Sequence, residues 1–182
     1  MTRTRYYTAT TLDGFLADPH DSLDWLFVQD HDPDGPLGHA AFMADVGALV
    51  MGATTYDWIR AHMDQTGEGW AYDVPTWVLT HRDLPPVEGA DIRFAAADDE
   101  AGLAAVHADL VAAADGRDIW VVGGGGLAAD LAAAGLLDEI AVSIAAVTLG
   151  AGKPLLPRPI DLRLTSVDRN RAFVCATYEV VG

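Results

Sequence analysis

The chain has 182 residues, 51% of them hydrophobic, and a formal net charge of −16. Its length suits one domain with a sizeable core, and its charge repels phosphate backbones and anionic lipid, which leaves a small molecule as the expected partner rather than nucleic acid or a membrane. No apolar run reaches the roughly 18–20 residues that cross a bilayer, the basic start Met1–Tyr7 has no apolar segment behind it, and a lone Cys175 excludes an intrachain disulfide and a cysteine-rich metal site, so a cytoplasmic protein without a metal is expected.

In chain order, Arg5–Thr10 is rich in Tyr and Thr and predicts a strand, and residues 11–38 carry enough Asp, Gly and Pro to predict a loop. A short helix over Leu37–Val46 and a buried strand at Ala48–Met51 follow. Thr54–His62 predicts a second helix with Thr54 or a neighbour as its cap. Beyond Gly67 and Gly69 comes a strand at Pro75–Thr80, where proline is tolerated at the strand start. Asp98 and Asp99 precede an amphipathic helix with Leu103, Val106, Leu110 and Val111 at helical spacing, stopped by Gly116. Asp118–Val122 is a strand that runs through four glycines into an alanine-rich helix ending near Gly135. Asp138–Thr148 alternates, with Ile140, Val142 and Ile144 on one face. Leu162–Val167 and Phe173–Val181 are predicted strands joined by a turn at Arg169-Asn170. Strands and helices alternating without linker or repeat predict one α/β domain over residues 1–182.

The strongest local signal is Ile119-Trp120-Val121-Val122 followed by Gly123, Gly124, Gly125 and Gly126 and then by Leu127 at the head of a helix. A buried strand opening through glycines into a helix gathers unpaired backbone N–H groups and a positive helix end at one point. Glycine lets a pyrophosphate approach there without a Cβ in the way. A tight turn without a ligand is the alternative, but four glycines cost backbone entropy that a simple turn does not require.

Other motif readings fail. Gly124, Gly126 and Ala129 fit the dinucleotide pattern G-x-G-x-x-A, yet they stand too late in the chain for repeated βαβ units, and no acidic ribose ligand follows. Gly150-Ala151-Gly152-Lys153-Pro154 resembles a P-loop but has Val147 where glycine is needed and Pro154 where Ser or Thr is needed. The run Asp30–Gly35 begins like an EF-hand, but Ala41 occupies the twelfth position. The six histidines show no zinc spacing, and no nucleophile elbow is present.

Four phrases in order resemble the dihydrofolate reductases: Thr8–Ala17, Met51–Tyr56, Val78–Thr80 and Val121–Gly125. Leu12-Asp13-Gly14-Phe15-Leu16-Ala17 and Leu149–Leu155 resemble more closely the reductase domain of bifunctional riboflavin-biosynthesis proteins and its stand-alone relatives. The resemblance implies a three-layer fold with a central, mixed, mostly parallel sheet flanked by helices, NADPH as cofactor with NADH open, and a homodimer. It implies that Ala9 and Leu16 lie against the nicotinamide, that Gly52, Ala53, Thr54 and Thr55 meet the phosphates, and that Leu79, Thr80 and His81 flank the adenosine. Gly123 to Leu127 would hold the pyrophosphate. Trp25 matches the tryptophan that ends the mobile active-site loop of this superfamily and is a substrate-contact candidate, with a core aromatic as the other reading.

Departures from the pattern shape the functional expectation. Ala53 stands where dihydrofolate reductases carry a base for the 2′-phosphate, and His81 with Arg82 are the candidates to replace it, or else solvated residues of a loop end. Ala61–Pro75 holds no Arg or Lys for a folate tail. Asp24, beside Trp25, is the candidate proton donor, against an ordinary solvated carboxylate; Asp32 and Asp34 compete with it. Gly152 and Lys153 are candidates for an anionic part of the substrate, with a plain surface lysine as the alternative. The expected activity is NAD(P)H-dependent reduction of a heterocyclic or sugar-derived C=N or C=O group, similar to 5-amino-6-(5-phosphoribosylamino)uracil reductase. A non-catalytic nucleotide-binding or interaction protein on the same fold and a dihydrofolate reductase are the alternatives.

Overall fold

A computed structural model describes all residues, 1–182. The buried runs of the sequence become a sheet because each can be covered on both faces, as parallel strands require. Its eight strands are, in chain order, β1 (Thr4–Thr11), β3 (Val46–Gly52), β4 (Thr76–Leu79), β5 (Ile92–Ala95), β6 (Asp118–Gly123), β7 (Glu139–Ala145), β9 (Leu162–Asn170) and β10 (Phe173–Val180). They pair in a single sheet as β5-β4-β3-β6-β1-β7-β10-β9. The pairs from β5 through β7 are parallel, and β10 runs antiparallel to β7 and β9. A two-stranded sheet of β2 (Phe15–Ala17) and β8 (Lys153–Pro154) lies outside it.

Helices α1 (Asp24–Phe27), α2 (His39–Ala44), α3 (Ala53–Thr66), α4 (Glu100–Ala114) and α5 (Gly125–Ala133) complete the chain. The main core joins Leu103, Val106 and Leu110 of α4 and Ala128 and Leu131 of α5 to Tyr6, Val50, Ile119 and Val121 of the sheet. On the other side Phe42 of α2 packs with Leu49 and Trp120, and Tyr56 of α3 packs with Met51 and Val78. The architecture is therefore α/β, with helices on both faces of a mixed, mostly parallel sheet.

Strand order locates the place where a ligand fits. From β3 the chain passes through α3 to β4, toward one edge. From β6 it passes through α5 over β1 to β7, toward the other. Right-handed crossovers in opposite directions put the two helices on opposite faces and open a crevice between β3 and β6, at the carboxyl ends of the strands. The sheet's opposite end is held by charge: Arg5 Nε lies 2.6 Å from Glu139 Oε1, and Arg3 Nη2 lies 3.1 Å from Asp118 Oδ2. Two arginines are thus committed far from the crevice.

Several expectations need correction. The loop predicted over residues 11–38 contains β2 and α1, and the unforeseen β5 and β8 are too short for periodicity to show. Helix α3 begins one residue earlier than expected: Gly52, not Thr54, is its N-cap, and no side chain caps it. Strand β9 runs on to Asn170, so the turn falls at Arg171-Ala172 instead of Arg169-Asn170, with Arg171 at φ 47°.

Candidate active site

Three cavities join at the crevice. The central lobe, about 560 Å³, has Thr8 and Ala9 of β1, Gly52 to Thr55 at the β3–α3 junction and Val122 to Leu127 at the β6–α5 junction along its walls. Toward β4 and β5 it continues through Gly52, Gly126 and Leu127 into a second lobe of about 540 Å³. Through Thr8, Ala9, Leu26 and Val122 it continues into a third lobe of about 630 Å³.

The cradle between the first two lobes is built from backbone. α3 starts after Gly52 and α5 after Gly124, and neither N-cap supplies a side-chain hydrogen bond. By contrast α4 is capped by Asp99, whose carboxylate accepts from the N–H of Gly102 at 2.8 Å. Two helix starts with open N–H groups, adjacent because Met51 pairs with Gly123 in the sheet, concentrate positive dipole at one point. A Cβ built on Gly124 or Gly126 meets no protein atom within 4 Å and would enter the cradle itself. One on Gly125 would sit 2.2 Å from the carbonyl oxygen of Leu155. The glycines thus divide: Gly125 admits the chain at 153–155, while Gly124 and Gly126 keep open a space suited to a diphosphate.

The two phrases Leu12–Ala17 and Leu149–Leu155 meet beside this cradle. The Asp13 carboxylate accepts from the N–H groups of Leu149 and Gly150, the latter at 2.7 Å, and Leu155 N–H donates to the Gly14 carbonyl at 2.8 Å. Together with the Thr11 hydroxyl, these donors hold the Asp13 carboxyl below its ordinary range. Gly152 packs so closely on this strap that a Cβ would stand 2.1 Å from the Ala17 carbonyl oxygen, so it shapes the backbone and does not line the lobes. Lys153 does line the central lobe, with its Nζ 3.5 Å from Asp21 Oδ1.

Of the residues singled out by sequence, the central lobe gathers Ala9, Leu16, Gly52, Ala53, Thr54, Thr55, the four glycines, Leu127 and Lys153, and Leu79 lines the second lobe. Thr80 is not brought there; its hydroxyl accepts from the Arg82 N–H at 2.9 Å. His81 pairs with Asp98 at 3.0 Å and Arg82 with Asp57, and neither lines a lobe. Trp25 is buried, and its indole N–H donates to the Leu16 carbonyl at 3.2 Å. It supports the loop behind the lobe as a core aromatic. Asp24 is exposed in the first turn of α1 and outside all three lobes.

Sequence reasoning did not place the third lobe. Its walls include the rings of Tyr7, Phe27, His39, Trp120 and Phe173, with Ser143, His31, Asp32 and Asp34 as polar groups. The Tyr7 hydroxyl donates to the Leu37 carbonyl at 2.7 Å, and burial pushes its pKa up to about 12, so it stays protonated. A loop at residues 30–38 roofs the lobe, pinned by Asn170: its side-chain N–H groups donate to the carbonyls of Asp32 and Pro36, and its oxygen accepts from the Asp32 N–H at 2.8 Å. Phe27 of this lobe stacks with near-parallel rings on Trp58, which lines the central lobe, and on His62. The spacing of Trp58 and His62 on one helix was the available signal for that stack.

Crevice, cradle and sheet order define a dihydrofolate reductase-like α/β fold. The model of the family described as RibD C-terminal domain matches residues 60–172, more than half of the chain, and the chain belongs to that family. The "Uncharacterized protein YyaP" of Bacillus subtilis (strain 168) is 26% identical over 184 residues, spanning 95% of this chain and 90% of that protein. A structure from Shewanella sp. PV-4, described as a "Putative riboflavin biosynthesis protein", superposes with a TM-score of 0.81 at 24% identity, with all of both chains covered. The diaminohydroxyphosphoribosylaminopyrimidine deaminase/5-amino-6-(5-phosphoribosylamino)uracil reductase of Thermotoga maritima gives 0.64 at 14% identity, over 99% of this chain and 57% of that one. No helix is long and apolar enough to cross a membrane.

Proposed function

We propose that the chain acts as one domain and is a cytoplasmic, NAD(P)H-dependent reductase of a small heterocyclic or sugar-derived C=N or C=O compound, related to the phosphoribosylaminouracil reductases. The observation that carries this reading is the pair of open, glycine-capped helix starts at the strand crossover, inside a cleft that continues into two further lobes. Nicotinamide supplies a hydride to an electrophilic carbon. The chain's part is placement. The N–H groups at the heads of α3 and α5 hold the diphosphate, Ala9 and Leu16 give an apolar face for the ring, and the third lobe positions the acceptor within reach. In that lobe Asp32, Asp34, His31 and His39 stand nearer to a bound substrate than the exposed Asp24 does, and they take its place as candidates for moving a proton.

Calorimetric titration with NADH and NADPH tests the reading, with thermal unfolding alongside. Ligand at a hundredfold its Kd adds about 2.7 kcal/mol of stability, which raises Tm by about 5–10 °C for a chain of this size. Absence of heat and of any Tm shift with both nucleotides would overturn it in favour of a non-catalytic protein on the same fold.

The assembly we propose is a homodimer through the edge hairpin. Leu162, Leu164 and Val167 of β9 pair with Val180, Tyr178 and Ala176, and Val174 pairs with Arg169, which places Leu162, Leu164, Val167 and Val174 on one face. All four are exposed, Val167 at 63%. An apolar stripe on an edge strand is what a partner covers. Sedimentation velocity is expected to give twice the 19.3 kDa chain mass, and Leu164→Asp with Val167→Asp to give the monomer. A monomeric wild type at tens of micromolar would rule the dimer out.

A further inference from the structure

The second lobe has a chemistry of its own. The third lobe is the one that meets the central lobe at Ala9, where the ring face lies, so the nicotinamide end points that way. A dinucleotide seated on the cradle then has its adenosine in the second lobe, which shares Gly52, Gly126 and Leu127 with the cradle. The floor there is apolar, from Leu79, Leu103 and Ala133, and suits a flat base. The rim is Asp98, Asp99, Glu100 and Asp130, and no lysine or arginine lines the lobe.

The nearby cations are already engaged. His81 Nε2 is 3.0 Å from Asp98 Oδ1, Arg82 is held by Asp57, and Arg158 is held by Asp130. Ala53, the first residue of α3, brings no charge. Four carboxylates thus line the lobe, with no cation among its walls, so its rim is acidic.

We infer, resting on the dinucleotide reading above, that this lobe accepts an adenosine ribose with a free 2′-hydroxyl, so that the chain uses NADH in preference to NADPH. A ribose hydroxyl donates hydrogen bonds to a carboxylate, the arrangement by which acidic residues select NAD. A 2′-phosphate is acceptor-rich, carries roughly two negative charges, and meets carboxylates with no free cation between them. Asp99 is committed to capping α4 and Asp130 to Arg158, and Asp98 meets His81 through Oδ1 alone and keeps Oδ2 free, which leaves Asp98 and Glu100 as the discriminating pair.

The experiment is calorimetric titration of the full chain with NADH and with NADPH at low salt, repeated on Asp98→Asn/Glu100→Gln. NADH is expected to bind at least about tenfold tighter, and the double variant, whose changes are at exposed positions, to bring the two affinities together. Equal or tighter NADPH binding overturns the inference and leaves the dinucleotide reading standing. Binding of neither nucleotide overturns both. An unchanged ratio in the double variant overturns the assignment to Asp98 and Glu100.

Discussion

Gly126→Val, and Gly124→Val beside it, are expected to remove nucleotide binding while the protein stays folded. Gly125→Val is expected to do the reverse damage. A Cβ at 124 or 126 meets no protein atom within 4 Å, so the stability cost of valine there is expected to be small, with the branched side chain directed into the space over the open N–H groups. Two charge-assisted hydrogen bonds lost there amount to about 3–6 kcal/mol, so affinity falls at least about 100-fold. At 125 the new Cβ is driven into the carbonyls of Leu155 and Pro154, 2.2 and 2.6 Å away. Overpacking of that kind costs roughly 1–3 kcal/mol or more, which lowers Tm by several degrees. Calorimetry and thermal unfolding of the three variants separate the two effects. Undiminished affinity in the folded Gly126→Val protein would sink the cradle as the nucleotide site.

That contrast marks how far the sequence alone could be read. The run from Ile119 through the glycines was legible because its signals are local: a buried strand, then residues without Cβ, then helix formers. It did not reveal which glycine faces the open cradle and which serves packing, because that depends on Leu155, thirty residues away in the chain. Strand β3 was legible for the same local reason, whereas the cap of α3 was misplaced because no side chain marks it. Residues 11–38 were not. Their short elements are fixed by distant partners, as when Asp13 holds Leu149 and Gly150 or Asn170 holds Asp32 and Pro36. Trp25 and Asp24 were placed at the substrate through their loop position, and only the packed structure separates the buried ring from the exposed carboxylate.

Dihydrofolate is expected to be turned over negligibly, with kcat at least about 100-fold below the usual range of about 1–10³ s⁻¹, and a phosphorylated aminopyrimidine only weakly. The third lobe has no lysine or arginine on its walls, and its charged groups Asp32 and Asp34 repel a glutamate tail or a sugar phosphate. Lys153 is the single lysine or arginine lining the central lobe, and it faces Asp21. An anion desolvated in such a place has no charge-assisted partner, so its binding energy is unavailable for positioning the reacting carbon. Steady-state oxidation of NADH and NADPH with each compound measures the outcome. Robust dihydrofolate turnover would show that the cation comes from elsewhere and that the cleft belongs to the folate type.

The pin at Asn170 ties the third lobe to the far edge of the sheet. The loop over residues 30–38 is not a strand of the sheet; three hydrogen bonds to one amide, the Ala172 N–H on the Asp30 carbonyl and the Arg171–Asp30 pair hold it to the hairpin turn. Lifting the roof therefore means fraying the end of the β9–β10 hairpin, so the two are expected to exchange amide protons as one cooperative unit, separately from the glycine cradle. Under the function proposed above, entry of substrate and retention of cofactor would be governed by separate local unfolding equilibria, the first set at the Asn170 pin and away from the cradle.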